Sequence, residues 1–127
     1  MRLILALFGS GIWIGCSEFL RNEIVLKHYW LEHYAALGLL FPSSPVNGMV
    51  WVLWSFMLAG LVVVLLRRVR FVEALITAWC AGFVMMWLVI GNLAVLPLGI
   101  LAVAVPWSML EVAVAALIVR RIYPRQA

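Results

Sequence analysis

The chain has 127 residues, of which 68% are hydrophobic and 11% charged, with a formal net charge of +4. Soluble domains average about 25% charged residues, and a chain of this length buries only about two-thirds of its unfolded surface in water. A water-exposed globule is therefore excluded, because so large an apolar excess has to be covered by lipid. The positive balance does not point to nucleic acid: the arginines flank apolar runs, and no basic patch with interleaved aromatics lies apart from them.

Four apolar runs, 3–20, 46–66, 71–91 and 98–119, match the roughly 17–25 residues that a helix needs to cross a bilayer. They lack the alternation of barrel strands, and lipid requires every backbone hydrogen bond to be made internally, so all four are predicted to be helices. The expected fold is all-α: one polytopic integral membrane domain, 1–127, built as a four-transmembrane-helix bundle. An amphipathic interfacial segment over about 21–41 joins helices 1 and 2.

In the first run, Gly11 and Gly15 form a G-x-x-x-G pair, which lets a neighbouring helix approach closely. The run is read as a retained span rather than a signal peptide. Ile14-Gly15-Cys16 is preceded by Trp13, where a lipoprotein cleavage site has leucine. Glu18, Arg21 and Asn22 follow at i, i+3 and i+4, so they share one helical face at the outer edge of the span. This is either an ion pair marking the span's end or a polar mouth opening into the bundle.

In the interfacial segment, Leu26, Tyr29, Trp30, Tyr34, Leu37 and Phe41 recur at roughly helical spacing, with Pro42 and Pro45 ending the stretch. His28 and His33 are its candidate ligand residues. They lie five positions apart, about 140° around a helix, and no H-E-x-x-H accompanies them, so no metal site is expected. Ser44 before Pro45 reads as an N-cap followed by proline at the first helical position. Ser55 then falls near the middle of the second run.

Arg67, Arg68 and Arg70 separate the second and third runs, and Glu73 is expected to pair with Arg70 at the surface. Cys80 is near mid-span and Cys16 near the outer end of the first run, depths too different for a disulfide. Gly91-Asn92 reads as a helix end and Pro97 as a restart. Asn92 falls at the height of the Glu18 cluster and is a candidate to join it.

The fourth run contains the most informative residue, Glu111. A charged carboxylate near the bilayer centre costs roughly 2.5–3.5 kcal/mol on insertion scales, so such groups face a partner, a cavity or the bundle interior. Its nearest basic neighbour in sequence, Arg120, is about 13 Å away along the helix. Ala104, Ser108, Glu111 and Ala115 share one face, a small-residue stripe suited to close packing, and Pro106 is expected to kink the helix. Two roles fit Glu111: a neutral, hydrogen-bonding packing acid, or a proton or cation site.

Seven of the nine basic residues (Arg2, Arg67, Arg68, Arg70, Arg120, Arg121 and Arg125) fall on one side, which predicts that both termini are cytoplasmic, in a bacterial-type inner or plasma membrane. No nucleophile elbow or phosphate loop, no aspartate and no histidine within a span accompanies Glu111, so no catalytic residue is assigned. No cofactor is implied. The leading expectation is a non-enzymatic accessory subunit or a bundle that binds lipid or a small ligand, with membrane lipid and either a second copy or another membrane subunit as partner. The alternatives are a homo-oligomeric proton- or cation-coupled transporter or channel using Glu111, and an intramembrane enzyme acting on a lipid or quinone at the outer cluster. No motif ties the chain to a known family.

Overall fold

The computed structural model describes residues 1–124. Among them every regular element is helical, and four helices are long and apolar enough to cross a membrane: Arg2–Val25, Pro45–Arg68, Phe71–Asn92 and Leu98–Ile122. A short helix, Lys27–Ala36, stands between the first two. Arg125, counted above on the basic side, lies outside the described residues.

The first long helix differs most from expectation, because it does not stop near Leu20 but continues through Arg21 and Asn22 to Val25. Its last turn is widened, the Leu26 N–H reaching five residues back to the Arg21 carbonyl at 2.8 Å. The charges that resemble a helix end are paired with one another inside the helix, so they do not interrupt it. The second long helix begins at Pro45 with the extended Ser44 before it, as the sequence suggests. The Ser44 hydroxyl does not cap the helix, however; it accepts from Asn47 Nδ2 at 2.9 Å.

The third long helix runs from Phe71 to Asn92, with a second widened turn over Cys80–Val84. Glu73 accepts the Arg70 backbone N–H at 3.2 Å and lies 3.9 Å from the Arg70 guanidinium, the expected surface pair. Beyond Asn92, Ala94 takes the left-handed conformation at φ 59°. The fourth long helix starts as a tight turn, Leu98–Ile100, and extends to Ile122. Arg120 and Arg121 sit in its last turn, where positive charge complements the unpaired carbonyls.

The interfacial segment is shorter and less one-sided than predicted. Residues up to Val25 belong to the first long helix, and the short helix ends at Ala36, closed by Gly38 at φ 70° rather than by Pro42. None of its residues is buried. Trp30 and Tyr34 pack with Phe41, but Tyr29 and Leu31 are exposed, so it lacks a single apolar face.

Packing is built around the first long helix, which lies between the second and the fourth. Its glycines provide the close approach: a methyl at Gly11 would come 2.7 Å from the Phe56 ring, and Gly15 faces Ser55. From the other side, Ala104, Ser108, Glu111 and Ala115 are all buried, as the stripe predicts. Ala6, Ile14, Ala59, Val62, Ala78 and Val112 complete the core. The small side chains among these bring backbones near enough for close dispersion contacts between helices. Large apolar side chains, among them Ile12, Met57, Ile76, Leu88 and Leu110, point outward from all four long helices.

The two ends of the bundle differ in charge. At one end Arg67 hydrogen-bonds Tyr123, and Arg120 stands 5.4 Å over the Phe71 ring, so the link between the second and third helices meets the end of the fourth. At the other end Leu26, Leu96, Ile100 and Ala104 form a small apolar cluster beneath Trp30. His33 Nε2 donates to the Ala94 carbonyl at 2.8 Å there, tying the short helix to the turn between the third and fourth.

A buried charged cluster as candidate functional site

Glu18, Arg21 and Glu111 lie together inside the bundle, and they are 4%, 2% and 1% exposed. Counting along the chain places Glu111 at mid-bundle and Glu18 to Asn22 at the outer edge; the longer first helix draws the second group inward until the two meet. Arg21 Nη2 donates to Glu18 Oε1, and Arg21 Nη1 stands 3.9 Å from Glu111 Oε2. Asn22 Nδ2 donates to Glu18 Oε2 at 3.1 Å, and Asn22 Oδ1 accepts from Trp30 Nε1 at 3.2 Å. The outer rim of this end is marked instead by Lys27, which donates to Glu23 at 2.6 Å and stands 4.2 Å over the Phe41 ring.

Glu111 is held by the first helix and by its own. The Ser17 hydroxyl donates to Glu111 Oε2 at 2.5 Å and accepts from Trp107 Nε1 at 3.0 Å. Trp13 Nε1 donates to the Glu111 carbonyl at 3.0 Å, which fixes the register between the two helices. Phe83 is fully buried in the widened turn of the third helix and lies 5.2 Å beneath the Arg21 guanidinium, within cation–π range. Both widened turns therefore border this cluster. Such turns concentrate at functional sites because they re-aim side chains out of the regular helical register.

Hydrogen bonding around the charges is incomplete. Arg21 Nε, Arg21 Nη1 and Glu111 Oε1 are buried without a partner among the described residues. Two carboxylates also share one guanidinium, so the cluster is net negative unless it holds a proton or a cation as well. Burying an unpaired charge is strongly destabilising, whereas an apolar replacement of the whole set is often neutral or better.

Each of the three charged residues lines a different cavity. Glu111 and Ser17 form the polar floor of a groove of about 620 Å³ between the first and fourth helices, beside Pro106 and Ala102. Pro106 has no N–H to donate to Ala102, so the helix lacks one backbone hydrogen bond at this wall. Arg21 lines a pocket of about 310 Å³ under the short helix, walled by Trp30, Tyr34, Phe41, Trp51 and Trp87. Glu18 lines a third cavity of about 340 Å³ toward the second helix.

Other sequence candidates fall outside the cluster. Ser55 is buried but donates to its own helix, at the Trp51 carbonyl. Ser108 accepts from Trp79 Nε1 at 2.9 Å and donates to the Val105 carbonyl, so it does not bond Glu111 although it lies one turn away. Asn92 is exposed and makes no hydrogen bond to Glu18, Arg21 or Glu111 among the described residues. His28 is exposed and packs on Tyr29, while His33 serves the turn at Ala94. Among the described residues no three His, Cys, Asp or Glu side chains converge as metal ligands, and Cys16 and Cys80 are both free.

Sequence reasoning misses Ser17, Trp13, Trp107 and Phe83. A signal for two of them is present: Trp107 lies four residues before Glu111, and Ser17 four before Arg21, so each shares its helical face. Phe83 carries no such mark. No protein-family model matches the chain, and no curated protein or solved structure matches it either.

Proposed function

We propose that this chain is an integral membrane bundle, non-enzymatic, that binds a small amphiphilic molecule from the surrounding lipid at the Glu18–Arg21–Glu111 cluster. Four long apolar helices with outward-facing large side chains support the membrane reading, since such a perimeter aggregates in water. The gathering of Arg67, Arg68, Arg70, Arg120 and Arg121 supports a cytoplasmic basic end with both termini on that side.

The observation that carries the ligand reading is the set of unpartnered atoms on buried charges, each charge lining a cavity. Buried polar groups in native proteins are almost always hydrogen-bonded, and the exceptions call for a function or a missing partner. Native mass spectrometry of the chain, extracted gently from its own membrane, tests the proposal. A stoichiometric small-molecule adduct that is lost in Arg21→Met/Glu18→Gln is the expected result, and a chain that flies bare under conditions preserving its fold overturns it.

A second reading, proton- or cation-coupled transport in a homo-oligomer, is favoured by the ratio of two acids to one base. It requires Glu111 to release and rebind its counter-charge. Glu111→Gln would then abolish flux in reconstituted vesicles while insertion and assembly persist.

A further inference from the structure

Resting on the ligand-binding reading, we infer the chemical class of the ligand: a membrane amphiphile with a planar, uncharged, carbonyl-bearing ring, the chemistry of a quinone headgroup, bound in the pocket under the short helix. Three observations select it. Arg21 Nη1 faces the Glu111 carboxylate at 3.9 Å, which leaves Nε as a donor with no hydrogen bond among the described residues, on a side chain 2% exposed that lines this pocket. It calls for an acceptor oxygen. The second observation is the charge of the site. Glu18 already pairs with Arg21, so an anionic headgroup would find no uncompensated positive charge to offset its burial, and an uncharged carbonyl needs none.

The third observation is the shape and chemistry of the walls. Trp30, Tyr34, Phe41, Trp51 and Trp87 present aromatic surfaces, which favour offset or edge-on packing against a flat ring. At about 310 Å³ the pocket lies at the low end of ligand sites, roughly 300–1,000 Å³, enough for a ring and the start of one chain but not for the two chains of a phospholipid. Binding of the ring here involves no electron transfer.

The test is calorimetric titration of the full chain in detergent micelles with decylubiquinone, oleate and phosphatidylglycerol. Decylubiquinone is expected to bind one per chain. Arg21→Met/Glu18→Gln, which removes the donors together with their paired acid, should weaken it at least tenfold. Val50→Trp, at an exposed position on the pocket wall, should do the same without lowering the melting temperature of the empty protein. Heat that is unchanged in both variants would mean micelle partitioning and overturn the inference. Binding of oleate or phosphatidylglycerol but not decylubiquinone, with the same sensitivity to the variants, would overturn the ligand class and leave the ligand-binding reading standing. If none of the three binds, the inference falls, and a bare chain in native mass spectrometry would take the broader reading with it.

Discussion

The Arg21 guanidinium, on the first long helix, lies 3.9 Å from the Glu111 carboxylate on the fourth, and both side chains are buried. This contact turns two separate features of the sequence into one site. It also sets the terms for every substitution there, because removing one partner leaves the other charged and out of water.

The structural share of Glu111 is read from two substitutions. Glu111→Gln retains an oxygen for the Ser17 hydroxyl and leaves the Trp13 bond to the backbone untouched, so its melting temperature in detergent should fall little. Glu111→Leu removes that acceptor and leaves the buried Ser17 hydroxyl without it, which should destabilise by roughly 1–3 kcal/mol. Equal melting temperatures for the two variants would show that the carboxylate makes no structural contact of consequence.

Gly11 tests the helix packing independently of the charges. Gly11→Ala places a methyl 2.7 Å from the Phe56 ring and should destabilise by about 1–3 kcal/mol through overpacking. Gly48→Ala, where a methyl meets open space, should be neutral or stabilising by about 0.5–1 kcal/mol from helix propensity. Thermal melts of both variants, together with Gly11→Ala/Phe56→Leu as a rescue, check the prediction; an unaffected Gly11→Ala would contradict the close approach of the first two long helices.

The membrane orientation has a direct chemical readout. In a Cys16→Ser/Cys80→Ser background, Ser43→Cys should react with a membrane-impermeant maleimide added outside intact cells, and Arg68→Cys should react only after lysis. The reverse pattern would invert the topology. Labelling of both before lysis would argue against four spans.

The helices were largely legible because each apolar run is bounded by proline, glycine or arginine, whose effects on backbone and insertion are local. Pro45 and Pro97 start helices within a residue or two of where they stand in sequence. What misled was the convention that charge marks a helix end. Glu18 and Arg21 cancel one another by lying one turn apart, so the first helix continues to Val25 and the cluster sinks into the bundle. Glu111 was legible as an unusual acid and Ala104, Ser108 and Ala115 as its close-packing face, because helical periodicity is a property of one segment. Its partners were not legible. Ser17 and Arg21 reach it across the interface between the first and fourth long helices, whose register depends on the Trp13 bond and the widened turn, neither of which the sequence around Glu111 announces. Asn92 and Ser55 had suitable depth but face elsewhere, and depth counted along a helix says nothing about rotation.

Arg21 and Glu111, as members of one energetically connected cluster, should show coupled effects on stability. A double-mutant cycle measures the coupling: equilibrium unfolding in mixed micelles of the wild type, Arg21→Met, Glu111→Gln and the double variant. A coupling energy of about 1–3 kcal/mol is predicted, the range for groups sharing a network. Additivity within about 0.5 kcal/mol, the behaviour of distant sites, would contradict such a connection.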